Sequence, residues 1–135
     1  MGWATMIDHI SFGVADLARA RRFYDAVLAP LGYRYLRGGE ETAGYGDDDA
    51  AFWIVAAPHP VAPDPGSGLH VCFRAPSRAA VDAFHAAALA AGGRDNGAPG
   101  ARDYEPGYYA AFVIDPDGYR IEAYCGAEPN ATISA

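Results

Sequence analysis

Two stretches of this chain carry the same pattern of residues, and this repetition limits the possible folds more than any other feature. Residues 9–32 align without gaps on residues 70–93, and each stretch runs from a histidine to a glycine. The other matched pairs are Phe12 with Phe73, Phe23 with Phe84, and Leu28 with Leu89. A shared offset of this kind indicates an internal duplication, so we expect two copies of one structural module.

Each module combines one helix with several strands. Asp16 is the expected N-cap of a helix in "DLARARRFYDAVLAPLG", and Ser77 is the expected N-cap of a helix in "SRAAVDAFHAAALAAGG". Alternating or apolar segments predict strands at "IDHISFGV", "YRYLRG", "AAFWIVAA" and "GLHVCFRAP", and a closing hairpin surrounds the turn "DPDG". The prediction is an α+β fold in one domain, residues 1–135, with modules at about 5–58 and 67–126.

Two segments are predicted to be irregular. The segment "PHPVAPDPGSG" is rich in Pro and Gly and connects the modules. The segment "GGRDNGAPGARDYEPG" precedes the last hairpin and is expected to be a long loop that forms a lid or a pocket wall.

Charge and composition exclude several classes of partner. The net charge is -7 and the sequence pI is near 4.8, so we expect no binding to nucleic acid or to a membrane surface. The apolar run "AAFWIVAA" is too short to cross a membrane, so a cytoplasmic protein is expected. Cys72 and Cys125 are expected to be reduced thiols, because a chain of this size does not need a disulfide.

Three donor side chains are predicted to lie on the strand faces opposite the apolar residues. They are His9, His70 and Glu122. A buried carboxylate costs several kcal/mol unless it is paired or binds a cation. Two imidazoles and one carboxylate suit one divalent transition metal ion (Fe, Mn, Zn or Ni) with positions left open for substrate. The alternative is that the histidines are structural and that Glu122 pairs with Arg120 or Arg74.

The segments "IDHISFGVADLARARRFYDAVLAPLGY", "LHVCFRAP" and "AFVIDPDGYRIEAY" resemble the vicinal oxygen chelate superfamily, also called glyoxalase/bleomycin resistance/dioxygenase proteins. The resemblance covers nearly the whole chain. It implies paired βαβββ modules whose curved sheets form a cleft with the metal at its floor, and usually a homodimer. His9, His70 and Glu122 match the family's ligand positions, and the three ligands come from one subunit or from two.

The resemblance also distinguishes among reactions. Glyoxalase I enzymes have a fourth ligand, a carboxylate, and aligning "DDDAAFWIVAA" with "DPDGYRIEAY" places Ile54 at that position. A three-ligand set looks like the fosfomycin-modifying thiol transferases and the extradiol dioxygenases. We therefore expect a metal-dependent enzyme that acts on a small oxygenated molecule by Lewis-acid catalysis, of lyase, thiol transferase or dioxygenase type. The alternative is a non-catalytic protein that binds a drug or another small molecule, like the bleomycin resistance proteins.

Seven further residues are candidates for the substrate pocket. They are Trp53, Cys72, Arg102, Tyr104, Tyr108, Tyr109 and Arg120. Aromatic rings could line an apolar cleft, and arginines could bind an anionic substrate group, although aromatic residues in strands are more often core or interface residues. His59, in the connector, and His85, on a helix, are expected to be ordinary surface residues.

Overall fold

A computed structural model describes residues 6–127, so the two ends of the predicted 1–135 domain lie outside the described residues. The first module consists of β1 (Ile10–Val14), α1 (Leu17–Leu28), β2 (Arg34–Gly38), β3 (Thr42–Gly46) and β4 (Ala50–Ala56). The second consists of β5 (His70–Arg74), α2 (Arg78–Ala90), β6 (Arg94–Ala101), β7 (Tyr109–Ile114) and β8 (Arg120–Cys125). The order βαβββ occurs twice, as expected.

The strands form two mixed sheets of four strands each. Their orders are β1-β4-β3-β2 and β5-β8-β7-β6. In each sheet the first and last strands of the module pair in parallel, and the other neighbours pair antiparallel. The α+β class and the paired modules are therefore confirmed, and β1 and β5 each form an edge of their own sheet.

Both helices begin at the predicted capping residues. The Asp16 carboxylate accepts a hydrogen bond from the Arg19 backbone N–H at 3.0 Å, and the Ser77 hydroxyl accepts one from Ala80 N–H at 3.1 Å. These bonds satisfy amide groups that a helix start leaves without an intrahelical partner. Just beyond α2, Gly92 adopts a left-handed φ of 100°. This conformation favours glycine, and a residue that adopts it ends the helix.

The predicted loop "GGRDNGAPGARDYEPG" contains a strand, so that prediction was wrong over half of its length. Strand β6 pairs with β7, and its register shifts between Asp95 and Gly97 and again between Gly97 and Gly100. These shifts interrupt the alternation of side chains that identifies a strand in a sequence. Only residues 102–108 connect β6 to β7, and we call them the β6–β7 loop.

One cluster of buried apolar residues extends through both modules. The duplicated residues Phe23 and Phe84 are both fully buried in it, and α1 packs against α2. The duplication is not exact, since Leu28 is buried whereas its counterpart Leu89 is 44% exposed. Within residues 6–127, no helix is long and apolar enough to cross a membrane.

Candidate functional site

Glu122 lies in the middle of β8 and is only 2% exposed. Its neighbours across the sheet are Cys72 on β5 and Phe112 on β7. Residues that are opposite each other in neighbouring strands point to the same side, so these three side chains share one face, which we call the glutamate face. The other face of β8 carries Ile121 and Ala123, which belong to the core.

Two polar side chains contact the Glu122 carboxylate, one at each oxygen. His70 Nε2 lies 2.7 Å from Oε1, and the Tyr108 hydroxyl donates to Oε2 at 2.5 Å. These partners are a histidine and a tyrosine, rather than Arg120 or Arg74, and the thiol of Cys72 also interacts with the carboxylate. These contacts compensate for part of the cost of burying the carboxylate.

His70 is accessible from solvent although it contacts a buried group. Its side chain is 41% exposed, and its ring stacks against Phe112 with centroids 6.0 Å apart. Arg120 is its register partner on β8 and lies on the same face. The imidazole can therefore meet a ligand from solvent while Glu122 supports it from behind.

His9 lies one residue before β1, and its ring Nδ1 is 2.7 Å from the Asp8 carboxylate. Its side chain is 54% exposed. Within residues 6–127 of one chain, no three His, Cys, Asp or Glu side chains are grouped so that they could hold a metal ion. The structure brings His70 and Glu122 together, and the inclusion of His9 in a three-ligand set stays a prediction.

The chemistry of the His70–Glu122 pair fits a divalent metal ion. An imidazole nitrogen and a carboxylate oxygen are both common ligands of such ions. Two donors bound to one ion at about 2.1 Å are roughly 3.0 to 3.4 Å apart, slightly more than a hydrogen bond. His70 and Glu122 are therefore the residues that would hold such an ion.

A cavity of about 570 Å³ connects the two histidines, because both His9 and His70 line it. Its apolar wall includes Phe52, Val71 and Phe73, and its polar lining includes Arg74 and the acidic segment 47–49. A volume of this size is typical of small-molecule sites.

Cys72 lines the same cavity and neighbours Glu122 in the sheet. The residue as a whole is exposed, but partial burial of the thiol and the adjacent Glu122 carboxylate raise the pKa of Cys72 to about 12. The thiol is therefore protonated at neutral pH, and it is a poor nucleophile. No disulfide links cysteines within the described part of the chain.

The β6–β7 loop carries three of the predicted pocket residues. Tyr108 contacts Glu122, and burial and the hydrogen bond to this carboxylate raise the pKa of its hydroxyl. The ring of Tyr104 is 67% exposed and packs edge-on against Tyr108 at 4.9 Å. The guanidinium of Arg102 lies over Phe112 at 5.4 Å and donates to the Ala98 carbonyl. The loop therefore lies beside the glutamate face.

The structure does not bring two other candidates to the glutamate face or to the cavity lining. The Tyr109 hydroxyl donates to Asp82 on α2 at 2.7 Å, so this side chain lies on the helix side of the sheet. Trp53 lies in the first sheet, where Arg37 is 5.4 Å above its ring. His59 is exposed, as expected of a surface residue, whereas the His85 side chain is only 12% exposed and its ring bonds the Asp95 carboxylate.

The counterpart of Glu122 in the first module is Trp53, not Ile54. Ser11 corresponds to Cys72 in the duplication, and Ser11 lies opposite Trp53 whereas Cys72 lies opposite Glu122. Ile54 is fully buried in the core. The ungapped alignment was wrong by one residue because the turn between β3 and β4 is two residues shorter than the turn between β7 and β8, and the register shift between Tyr45 and Gly46 compensates for one of them. The indole is no better than an alkyl chain as a metal ligand or proton carrier, so the argument against a fourth ligand is unchanged.

Sequence reasoning missed the contact between Tyr108 and Glu122. Tyr108 belongs to a loop, where no periodicity predicts the direction of a side chain. The position of Phe112 could not be found in this way either, because counting pairs outward from the "DPDG" turn places Ala111 opposite Glu122. In the structure the turn closes between Asp115 and Tyr119, which shifts the register by one residue and places Phe112 there.

The family model described as Glyoxalase/Bleomycin resistance protein/Dioxygenase superfamily matches residues 6–123. A solved glyoxalase/bleomycin resistance protein from Albidiferax ferrireducens T118 is 34% identical over 93% of this chain and 100% of that chain, with a TM-score of 0.76. A glyoxalase/bleomycin resistance protein/dioxygenase family enzyme from Burkholderia phytofirmans PsJN is 19% identical over 87% and 95% of the two chains, with a TM-score of 0.66. The bleomycin resistance determinant encoded on transposon Tn5 is 19% identical over 90% and 98%, with a TM-score of 0.60. No curated protein matches this chain.

Proposed function

This chain belongs to the Glyoxalase/Bleomycin resistance protein/Dioxygenase superfamily, and on that premise we propose that it is a divalent-metal-dependent enzyme that acts on a small oxygenated molecule. The main support is the contact between His70 Nε2 and Glu122 Oε1 at 2.7 Å. Glu122 is almost completely buried, and His70 lines a cavity. A buried carboxylate beside an accessible imidazole is a suitable start for a metal site.

His70 and Glu122 would hold the ion, and His9 would be its third ligand. The ion, one of Fe, Mn, Zn or Ni, would supply Lewis-acid polarisation of a substrate oxygen, as in a lyase, a thiol transferase or a dioxygenase. The cavity wall of Phe52, Val71 and Phe73 would exclude water from the apolar part of the substrate.

The third ligand is proposed to come from a second copy of the chain. His9 bonds Asp8 and belongs to no three-donor group within the described residues of one chain. Strands β1 and β5 are edge strands, so their backbone groups can pair with another copy. The proposed assembly is a cytoplasmic homodimer that binds a small molecule and neither nucleic acid nor membrane.

Metal analysis of protein purified without chelator tests this proposal. We expect about one transition metal ion per chain, and a loss of affinity of at least tenfold in Glu122→Gln, because the neutral amide is a weaker ligand than the carboxylate. The matched control is Glu40→Gln at an exposed position, which should bind metal as the unmodified protein does. Protein that contains no metal and takes up none on reconstitution would contradict the proposal.

A second candidate function is non-catalytic binding of a drug-sized molecule, and the cavity of about 570 Å³ favours it. A thermal-shift panel separates the two functions, since any ligand that binds the folded state raises the melting temperature. Stabilisation by divalent metals supports the enzyme. Stabilisation by a bulky organic ligand, with no response to metals, supports the binding protein.

A further inference from the structure

We infer that Tyr108 is a positioning residue that orients Glu122 as a metal ligand; this inference rests on the proposed function. The two oxygens of Glu122 have different partners. Oε1 faces His70 at 2.7 Å, and Oε2 accepts a hydrogen bond from the Tyr108 hydroxyl at 2.5 Å. If the ion binds between Oε1 and His70, the contact at Oε2 remains available to hold the carboxylate in place.

A carboxylate on a strand can rotate about its terminal bond, so a single contact at Oε1 does not determine which oxygen faces the ion. The Tyr108 hydroxyl restricts this rotation from the opposite side of the group. The hydroxyl donates to an oxygen that is buried with the rest of Glu122 and would otherwise lose hydration. Ligands of metal ions are commonly oriented in this way by a second hydrogen bond.

Tyr108 is itself held by its surroundings. Its ring packs against Tyr124 with centroids 4.2 Å apart and against Tyr104 at 4.9 Å. Its backbone N–H donates to the Glu105 carbonyl, and its carbonyl accepts from Arg102 N–H at 2.9 Å. The β6–β7 loop therefore presents the hydroxyl in one orientation, as a positioning residue requires.

The loop conformation depends on the residue before Tyr108. Gly107 has a φ of 80°, in the left-handed region that favours glycine, and a Cβ at this position would lie 2.6 Å from Ala127 Cα. Only glycine is accommodated there without a shift of the backbone. The contact with Glu122 therefore depends on backbone geometry as well as on the Tyr108 side chain.

The test compares Tyr108→Phe with Tyr35→Phe, a matched removal of a hydroxyl from an exposed tyrosine on β2, away from the glutamate face and the cavity. Cobalt(II) is titrated into each metal-free protein, with affinity measured by competition with a chelator and ligand geometry by the visible absorption bands of the bound ion. We expect Tyr108→Phe to weaken cobalt binding about 10- to 100-fold and to change the visible bands. Tyr35→Phe should resemble the unmodified protein in both measurements.

A second variant keeps the test decisive if Tyr108→Phe does not fold. Tyr124→Leu removes the ring that packs against Tyr108 but leaves the Tyr108 hydroxyl in place. We therefore expect a smaller loss of cobalt affinity than in Tyr108→Phe, together with altered visible bands. Unchanged affinity and unchanged bands in the folded variants would overturn the inference while leaving the metal site intact. If the unmodified protein binds no cobalt, the proposed function fails, and the inference fails with it.

Discussion

Two carboxylates are almost completely buried in the described part of the chain, Asp115 at 3% and Glu122 at 2% exposure. Glu122 lies beside a cavity-lining histidine, whereas Asp115 lies in the turn between β7 and β8. Asp115 accepts hydrogen bonds from the Tyr24 hydroxyl and from the backbone N–H groups of Asp117 and Tyr119. A buried carboxylate is therefore not in itself a sign of a metal ligand, since only Glu122 has an accessible partner with a free route to solvent.

The environment of Asp115 determines how its contribution to stability depends on pH. Burial raises the pKa of Asp115, and the hydrogen bonds from Tyr24 and the two backbone amides oppose this rise. Because the folded state holds the proton more tightly than the unfolded chain, this group stabilises the fold most at acid pH. That contribution declines as the pH rises from the unfolded value near 3.8 through the folded pKa.

Replacement of Tyr24 by Phe is expected to destabilise the protein in a pH-dependent way. The change leaves Asp115 Oδ2 buried without its donor, which should cost about 1 to 3 kcal/mol at neutral pH. Without the hydrogen bond from Tyr24, the pKa of Asp115 rises further. The destabilisation should therefore be smaller near pH 4, where more of the Asp115 carboxyl is protonated. Urea unfolding at the two pH values measures both effects.

The control for this prediction is Tyr109→Phe, which removes a hydroxyl whose partner, Asp82, is exposed. Exposed hydrogen bonds are replaced by water at little cost, so a change within about 0.5 kcal/mol is expected. If Tyr24→Phe destabilised the protein equally at both pH values, the destabilisation would not depend on the ionisation of Asp115, and this prediction would be wrong.

At the scale of elements, the turn between β7 and β8 docks on the start of α1. Asp117 Oδ1 accepts from the Ala15 backbone N–H at 3.2 Å and from the Arg19 guanidinium at 3.0 Å. The carboxylate also lies near the positive end of the helix dipole, which favours a negative charge. The Tyr119 ring stacks on Phe12 at 4.0 Å, so one turn of the second module contacts both β1 and the start of α1.

Replacement of Asp117 by Ala should therefore weaken the contact between the modules. We expect a loss of about 1 to 3 kcal/mol, because two donors lose a charged acceptor that is largely buried. Asp117→Asn should cost less, since its amide oxygen can still accept from both donors. Urea unfolding of both variants measures the difference, and an alanine variant as stable as the unmodified protein would contradict this account.

Local sequence signals identified some elements better than others. Asp16 and Ser77 were found as N-caps because capping depends on a side chain and amides only a few residues away. The "DPDG" turn was found for the same reason, and Gly118 in it has a left-handed φ of 98°. Strand β6 was missed because its pairing depends on β7, and its register shifts remove the alternation that would have identified it.

At the scale of the whole molecule, the modules share a core but keep separate sheets. The core cluster contains residues from both modules, and the aromatic contact of Phe52 with Phe73 joins β4 to β5. The edges of β1 and β5 are not paired with each other. This arrangement places His9 and His70 at one cavity and leaves each edge available for a second copy.

Mixing two histidine variants tests whether the proposed metal site is shared between subunits. His9→Ala and His70→Ala should each bind metal weakly alone. In a randomly exchanged mixture, a shared site would restore about a quarter of the unmodified metal content, because half of the dimers would be mixed and each would carry one intact site. No restoration after demonstrated subunit exchange would indicate that the ligands come from one chain or that His9 is not a ligand.

The sequence by itself determined the features that depend on near neighbours: the duplication, the helix caps, the "DPDG" turn and the strand face that carries Glu122. Tertiary structure decided which groups meet that carboxylate, because Tyr108 reaches it from a loop and His70 reaches it from the parallel neighbouring strand. It also placed Trp53, not Ile54, in the equivalent position of the first module. Side-chain periodicity specifies a face, whereas a specific contact depends on strand register and loop conformation, which arise only when distant segments pack together.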